Sequence, residues 1–226
     1  MSDPPTGKGP PSVVTMVFST LTHVLLLAPV IYILTVAFQN YSFFSWHPIC
    51  MSLGVALLMA EAVFSISGEA YIGHKISRVN RVTMHWILHT AGLTLVLIGL
   101  IIIVANKVNH NRPHFSSPHS ILGLISIILA FLVAGFGIVT NNPKWLYPRF
   151  RPVLLKIMHA FGGIAITVLL FASVITGTYK WSPIAETGRS LVFASLFIAG
   201  FFILVKPVLG AVSRSKVVFG PPPTTT

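Results

Sequence analysis

Val82–Ala105 reads VTMHWILHTAGLTLVLIGLIIIVA, and this run decides what kind of protein the chain is. Its 24 residues include no Lys, Arg, Asp or Glu. A helix rises about 1.5 Å per residue, so roughly 20 apolar residues cross the ~30 Å hydrocarbon layer of a bilayer. A helix at a water boundary would show a polar face. This one is apolar all round except for its threonines, His85 and His89. Five further stretches of the same kind flank it: Val13–Phe38, His47–Ser67, His119–Thr140, Leu154–Gly177 and Ser190–Leu209. The expectation is an all-α membrane protein, a six-helix up-and-down transmembrane bundle.

Composition points the same way. Of 226 residues, 54% are hydrophobic and only 8% charged, where a soluble domain carries about a quarter charged residues. Mean hydropathy is +0.84. A cytosolic enzyme and a nucleic-acid reader are excluded, and the net charge of +11 belongs to loops. The single cysteine, Cys50, rules out a secreted disulfide scaffold. With only four acidic residues, carboxylate catalysis and calcium binding have little to work with. The loops are short and hold proline, glycine, asparagine or charge clusters, which leaves no room for a second domain. The reading therefore divides the chain into a disordered tail over 1–12, the bundle over 13–210 and a disordered cytosolic tail over 211–226. The first stretch is too long for a signal-peptide core and has no basic segment ahead of it, so it is expected to be retained.

Lysine and arginine placement gives an orientation. One face collects Lys8, Lys75, Arg78, Arg81, Lys144, Arg149, Arg151, Lys156, Lys206, Arg214 and Lys216, while the other has only Lys107, Arg112, Lys180 and Arg189. Both termini are expected on the first face, in the cytosol.

Polar side chains inside a span are costly and mark function. His47 opens the second stretch and His119 the fourth, both entering from the non-cytosolic face; His85 and His159 lie about a turn into the third and fifth, entering from the cytosolic face. Helices that start on one face place these imidazoles at one depth, which gives two pairs, one per leaflet. Imidazole suits haem iron, zinc and copper. Zinc sites usually add cysteine or carboxylate, and neither accompanies these pairs. Two histidines on facing helices suit the axial positions of an iron porphyrin, and haem b needs no Cys-x-x-Cys-His attachment. Glycine makes room for a macrocycle: Gly123, Gly162 and Gly163 follow a ligand by one turn, and Gly54 and Gly92 by two. The two irons are expected roughly 15–20 Å apart, the hydrocarbon thickness less the two ligand depths.

These residues resemble the cytochrome b561 family, specifically its small endomembrane two-haem proteins. The resemblance rests on Ser45-Trp46-His47-Pro48 with Cys50-Met51-Ser52-Leu53, on His85-Trp86, on His114-Phe115-Ser116-Ser117-Pro118-His119 and on Met158-His159-Ala160 with Gly162-Gly163. It spans residues 13–210. It implies two bis-histidine haems b, with His47 and His119 on the non-cytosolic iron and His85 and His159 on the cytosolic one. It also implies a reductase that passes electrons from cytosolic ascorbate to monodehydroascorbate or ferric iron chelates, a likeness to homodimeric proteins, and residence in the endoplasmic reticulum or cytoplasmic vesicles. His89 corresponds to a family histidine beside the haem.

Under that resemblance, cationic residues near the cytosolic pair are candidates for the ascorbate monoanion: Arg78 and Arg81 before His85, with Lys75 close by, and Arg149, Arg151 and Lys156 before His159. Arginine's planar fork suits an enediolate or a propionate. On the other face His110, Arg112, His114 and Phe115 precede His119, and either histidine fits the acceptor role. Glu61 reads as a helix-end residue, and His23 and His74 as structural or solvated. Two rival readings stay open. One is a diheme membrane anchor for a soluble redox partner; the other is a histidine-lined ion or proton carrier without haem.

Overall fold

The structure, a computed structural model, describes residues 12–68 and 76–220. His74, Lys75, Lys8 and the expected tails over 1–11 and 221–226 lie outside the described residues. Among the described residues the chain is helical with connecting turns and no strand. Six helices are long and apolar enough to cross a membrane: α1 (Val13–Gln39), α2 (Phe43–Ser67), α3 (Arg78–Asn109), α4 (Pro118–Asn141), α5 (Pro152–Lys180) and α6 (Glu186–Phe219).

Local sequence sets where each helix starts and stops. Ser12 and Ser77 accept hydrogen bonds from the amides of Thr15 and Asn80, each at 3.2 Å, and so cap α1 and α3. Ser117 and Ser120 form a reciprocal box at the start of α4, which satisfies donors that a helix N-terminus leaves orphaned. Pro118 and Pro152 begin α4 and α5, where a missing N–H does no harm. Gly68 ends α2 at φ +77°, a left-handed conformation that glycine adopts without strain. Within α2, Ser52–Met59 is wound as a π-helix between α-helical segments Trp46–Met51 and Ala60–Ser67.

The sixth helix differs from the sequence expectation. It was read as ending at Leu209 with a disordered tail beyond, yet it continues through Ala211 to Phe219. Falling hydropathy marks where a helix leaves lipid, not where its hydrogen bonds stop. The helix ends at Phe219 with Gly220 as its C-cap.

Round the bundle the order is α3, α2, α1, α6, α5, α4, and each of these neighbours packs closely on the next. The ring closes only lightly between α4 and α3, and α2 meets α5 sparingly. Two antiparallel pairs, α2/α3 and α4/α5, therefore stand across a cleft that α1 and α6 back on one side. The most apolar 18 residues of α2 are 67% buried against 17% for α4, so α2 is the central post and α4 an outer wall. The core along α2 holds Leu26, Val30, Val55, Phe64, Val96 and Leu196, each no more than 3% exposed. Large apolar residues such as Ile101, Leu132, Phe197 and Phe201 face outward, as lipid requires.

Gly54 and Gly92 do not make room for a cofactor, as the sequence reading expected. They face each other where α2 crosses α3, and a Cβ on either would come within 2.8 Å of the other's carbonyl oxygen. Helices in lipid gain most of their association from close backbone approach, and these two glycines permit it.

Candidate functional site

The cleft is bridged at two levels. At one, His47 of α2 faces His119 of α4 with ring centroids 6.4 Å apart and planes at 74°. At the other, His85 of α3 faces His159 of α5 at the same 6.4 Å and 82°. An imidazole nitrogen binds a metal at about 2.0–2.1 Å and lies roughly 1.1 Å from its ring centre, so two axial imidazoles should stand about 6.3 Å apart. Both pairs meet that spacing.

Ring orientation is fixed by backbone carbonyls of the antiparallel partner. His47 Nδ1 donates to Gly99 O of α3 at 2.9 Å, and His85 Nδ1 to Ala62 O of α2 at 2.9 Å. His119 Nδ1 donates to Ser173 O of α5 at 3.1 Å, with Thr176 Oγ1 at 3.3 Å. A carbonyl only accepts, so these Nδ1 atoms carry the proton and the Nε2 lone pairs are free to ligate. His159 completes the pattern in direction, toward the Val133 carbonyl of α4, but its buried Nδ1 does not close a hydrogen bond. Two glycines unremarked in the sequence reading seat two of the rings. A Cβ at Gly137 would lie 2.9 Å from the His159 ring, and one at Gly177 would lie 3.0 Å from the His119 ring.

On α3 the carbonyl that holds His47 lies 14 residues beyond His85. At roughly 1.5 Å per residue the two levels are about 21 Å apart, slightly beyond the sequence expectation.

Between His47 and His119 lies a cavity of about 290 Å³ with apolar walls, including Phe44, Val96, Ile127 and Trp181. Gly123 lines it as expected, and Lys107, Lys180 and Ser117 supply polar groups. This combination fits a flat apolar macrocycle with an anionic edge. At the other level Gly163 has nothing within 4 Å of where its Cβ would be, while Gly162 packs on Val133. Only the first of these two expected glycines leaves space. His89 stands beside the second pair, its ring 4.5 Å from that of His85.

The expected substrate residues divide by face. Arg78, Arg149, Arg151 and Lys156 are exposed at the end of the bundle that holds His85 and His159. Arg81 is less exposed and reaches back to Gly68. At the opposite end, His110 Nδ1 donates to Asn106 O of its own helix at 2.7 Å. His114 instead stands beside Phe115, ring centroids 6.1 Å apart, and Phe115 lines the cavity. Phe115 has φ +48°, a conformation costly for an aromatic residue and often found where a side chain is held for function. Lys107 Nζ donates to Pro113 O at 2.7 Å and ties down this connection.

The structure brings His23 and Glu61 together, a meeting the sequence reading did not anticipate. His23 Nδ1 of α1 meets Glu61 Oε1 of α2 at 2.7 Å. Neither side chain is a solitary polar group. No local pattern signalled this pair, because its members are 38 residues apart.

The chain matches the family described as eukaryotic cytochrome b561 over residues 46–182, a span that contains all four paired histidines. It is 33% identical to the human transmembrane reductase CYB561D2 over 175 residues, covering 77% of this chain and 78% of that one. The bovine protein of the same name is 32% identical, with 74% and 75% covered. The mouse lysosomal membrane ascorbate-dependent ferrireductase CYB561A3 is 30% identical over 188 residues, with 76% and 75% covered.

Proposed function

Since this chain belongs to the eukaryotic cytochrome b561 family, we propose that it is a transmembrane reductase that moves single electrons from ascorbate on its terminal face to monodehydroascorbate or a ferric chelate on the other. The terminal face is the cytosolic one in this reading, because it gathers eleven of the fifteen Lys and Arg residues and cytosolic loops carry that excess. The membrane is an endomembrane, of the endoplasmic reticulum or cytoplasmic vesicles. One relative named for ascorbate and iron supports the donor and acceptor chemistry.

Two haems b are held, one by His85 and His159 and the other by His47 and His119. The observation that carries this reading is the pair of 6.4 Å imidazole separations across one cleft. When bound, haem b supplies a one-electron ferric–ferrous couple whose potential its ligands and burial set. The chain's own residues do the rest. The carbonyls of Gly99, Ala62 and Ser173 hold three ligand rings in the tautomer that ligates. With His85 and His159 holding one haem and His47 and His119 the other, the chain would supply electron transfer and not oxygen binding. The apolar walls at the His47 level keep water away, and Lys107 and Lys180 offset propionate charge. Arg78, Arg81, Arg149, Arg151 and Lys156 draw the ascorbate monoanion to the terminal face. His114 and Phe115 receive the acceptor at the other end.

A reduced-minus-oxidised absorption spectrum of purified protein tests the reading. Low-spin haem b at two per chain is expected, with full reduction of one by ascorbate. His85→Ala or His159→Ala should halve the haem content and abolish ascorbate reduction. A colourless folded protein would instead indicate an ion carrier. Two haems unresponsive to ascorbate would indicate a membrane anchor.

A further inference from the structure

The His23–Glu61 pair is an ionisable couple inside a membrane bundle, and nothing in the electron path above uses it. His23 lies ten residues into α1, about 15 Å along the helix axis, and Glu61 six residues before the end of α2. Side-chain exposure is 40% for His23 and 20% for Glu61, on a surface whose solvent is lipid. As a packing device the pair is expensive, since apolar residues join two helices without the desolvation of charge. Intramembrane carboxylate–imidazole pairs characteristically belong to proton paths.

Its position ties it to the electron step. Glu61 directly precedes Ala62, whose carbonyl accepts from His85 Nδ1 at 2.9 Å and also from Ser65 Oγ at 2.9 Å. Ser65 stands one helical turn from Glu61 toward the terminal face, and Ser19 one turn from His23 in the same direction. Both serines are buried, as is Thr22. Ser65 thus shares the Ala62 carbonyl with His85, one turn from the pair. Phe64, fully buried, closes the side of the His23 ring at 5.3 Å.

We propose that His23 and Glu61 form a proton-accepting pair that compensates the charge of an electron arriving at the His85/His159 centre. This rests on the reading that His85 and His159 hold a haem. In the step, ascorbate monoanion loses one electron and one proton. The electron converts ferric iron to ferrous, and the proton passes to cytosolic water. One proton from that water joins the pair at His23 Nε2, and the pair changes from carboxylate–imidazole to carboxylate–imidazolium. When the electron moves on, the proton returns. Charge added at one site is strongly felt at the other because little water intervenes to screen it. Both residues are positioning residues, acting through the centre without touching substrate.

Other ionisable groups on the helices packed against α1 and α2, toward this end, are Arg78, Arg81, His85 and His89 on α3, Lys156 and His159 on α5 and Lys206 on α6.

The test is redox potentiometry of the haem-loaded protein between pH 5.5 and 8.5, following the ascorbate-reducible haem. The wild type should show a reduction equilibrium that shifts by up to tenfold per pH unit, about 59 mV for one electron. Glu61→Gln and His23→Gln should flatten the profile with both haem spectra intact. Glu61→Asp should restore the slope. A flat wild-type profile, or a wild-type slope in Glu61→Gln, overturns the inference. If Glu61→Gln does not assemble, reduced-minus-oxidised infrared spectra of wild type labelled with carbon-13 glutamate decide the matter. Of the remaining acids, Asp3 and Glu69 lie outside the described residues and Glu186 is the first residue of α6. A redox-linked carboxylate band that shifts on labelling is expected from Glu61 as its imidazole partner gains and loses the proton, and its absence counts against the pair. Fewer than two haems in the wild type would sink the functional reading itself. Two haems with a flat profile would sink only this inference.

Discussion

Gly137 and Gly177 show how little space the ligand rings have. Each lies 18 residues after a paired histidine of its own helix and touches the histidine of the neighbouring one: Gly137 of α4 the His159 ring, Gly177 of α5 the His119 ring. The spacing was in the sequence, but it carries no meaning until α4 and α5 are laid antiparallel. A valine at position 137 would put three carbons where the imidazole of His159 now rests. Gly137→Val is therefore expected to lose the His85/His159 haem, or turn it high-spin, while the His47/His119 haem remains. Absorption spectroscopy with haem quantitation reads both. His159 is the more sensitive ring in any case, since its Nδ1 lacks the closed carbonyl bond that the other three have.

At the scale of elements, the two antiparallel helix pairs are the working units. In α2/α3, each ligand histidine donates to a carbonyl of the other helix, so the ligand geometry depends on how the two backbones cross. That crossing is set where Gly54, in the π-wound part of α2, meets Gly92 of α3. Gly92→Leu would force the backbones apart. Overpacking of this kind typically costs about 1–3 kcal/mol, and here it moves two carbonyl acceptors at once. The expected outcome is a lower melting temperature in detergent together with reduced occupancy of both haems. A variant that melts lower but binds two haems normally would show that ligand geometry does not depend on the crossing. The sequence identified these glycines but misassigned them, because a residue two turns from a ligand faces either the cofactor or the neighbouring helix, and periodicity alone does not say which.

For the whole molecule, the path from one face to the other is about 21 Å between levels, and it needs no moving part. In the proposed function, direction comes from a donor site at the terminal face and an acceptor site at the other. In proteoliposomes with ferric chelate trapped inside, ascorbate added outside should reduce it only when the terminal face points outward, as scored by protease access to the termini. Equal rates from both orientations would overturn the assignment of the basic residues to the donor site. Such a test also bears on Arg78, Arg81, Arg149, Arg151 and Lys156, which topology alone would place at a cytosolic face.

The sequence by itself determined how many times the chain crosses the bilayer and where each crossing falls. These follow from one segment's partition between water and hydrocarbon, a property that needs no neighbour. It also carried the family motifs. The tertiary structure decided what depends on the azimuth and crossing of one helix against another: which carbonyl holds each ring, which glycines seat a ligand and which join two backbones, and where α6 stops. The meeting of His23 with Glu61 belongs to that second group, since a contact between spans is fixed by side-chain packing around the full circumference of both helices, which no linear pattern records.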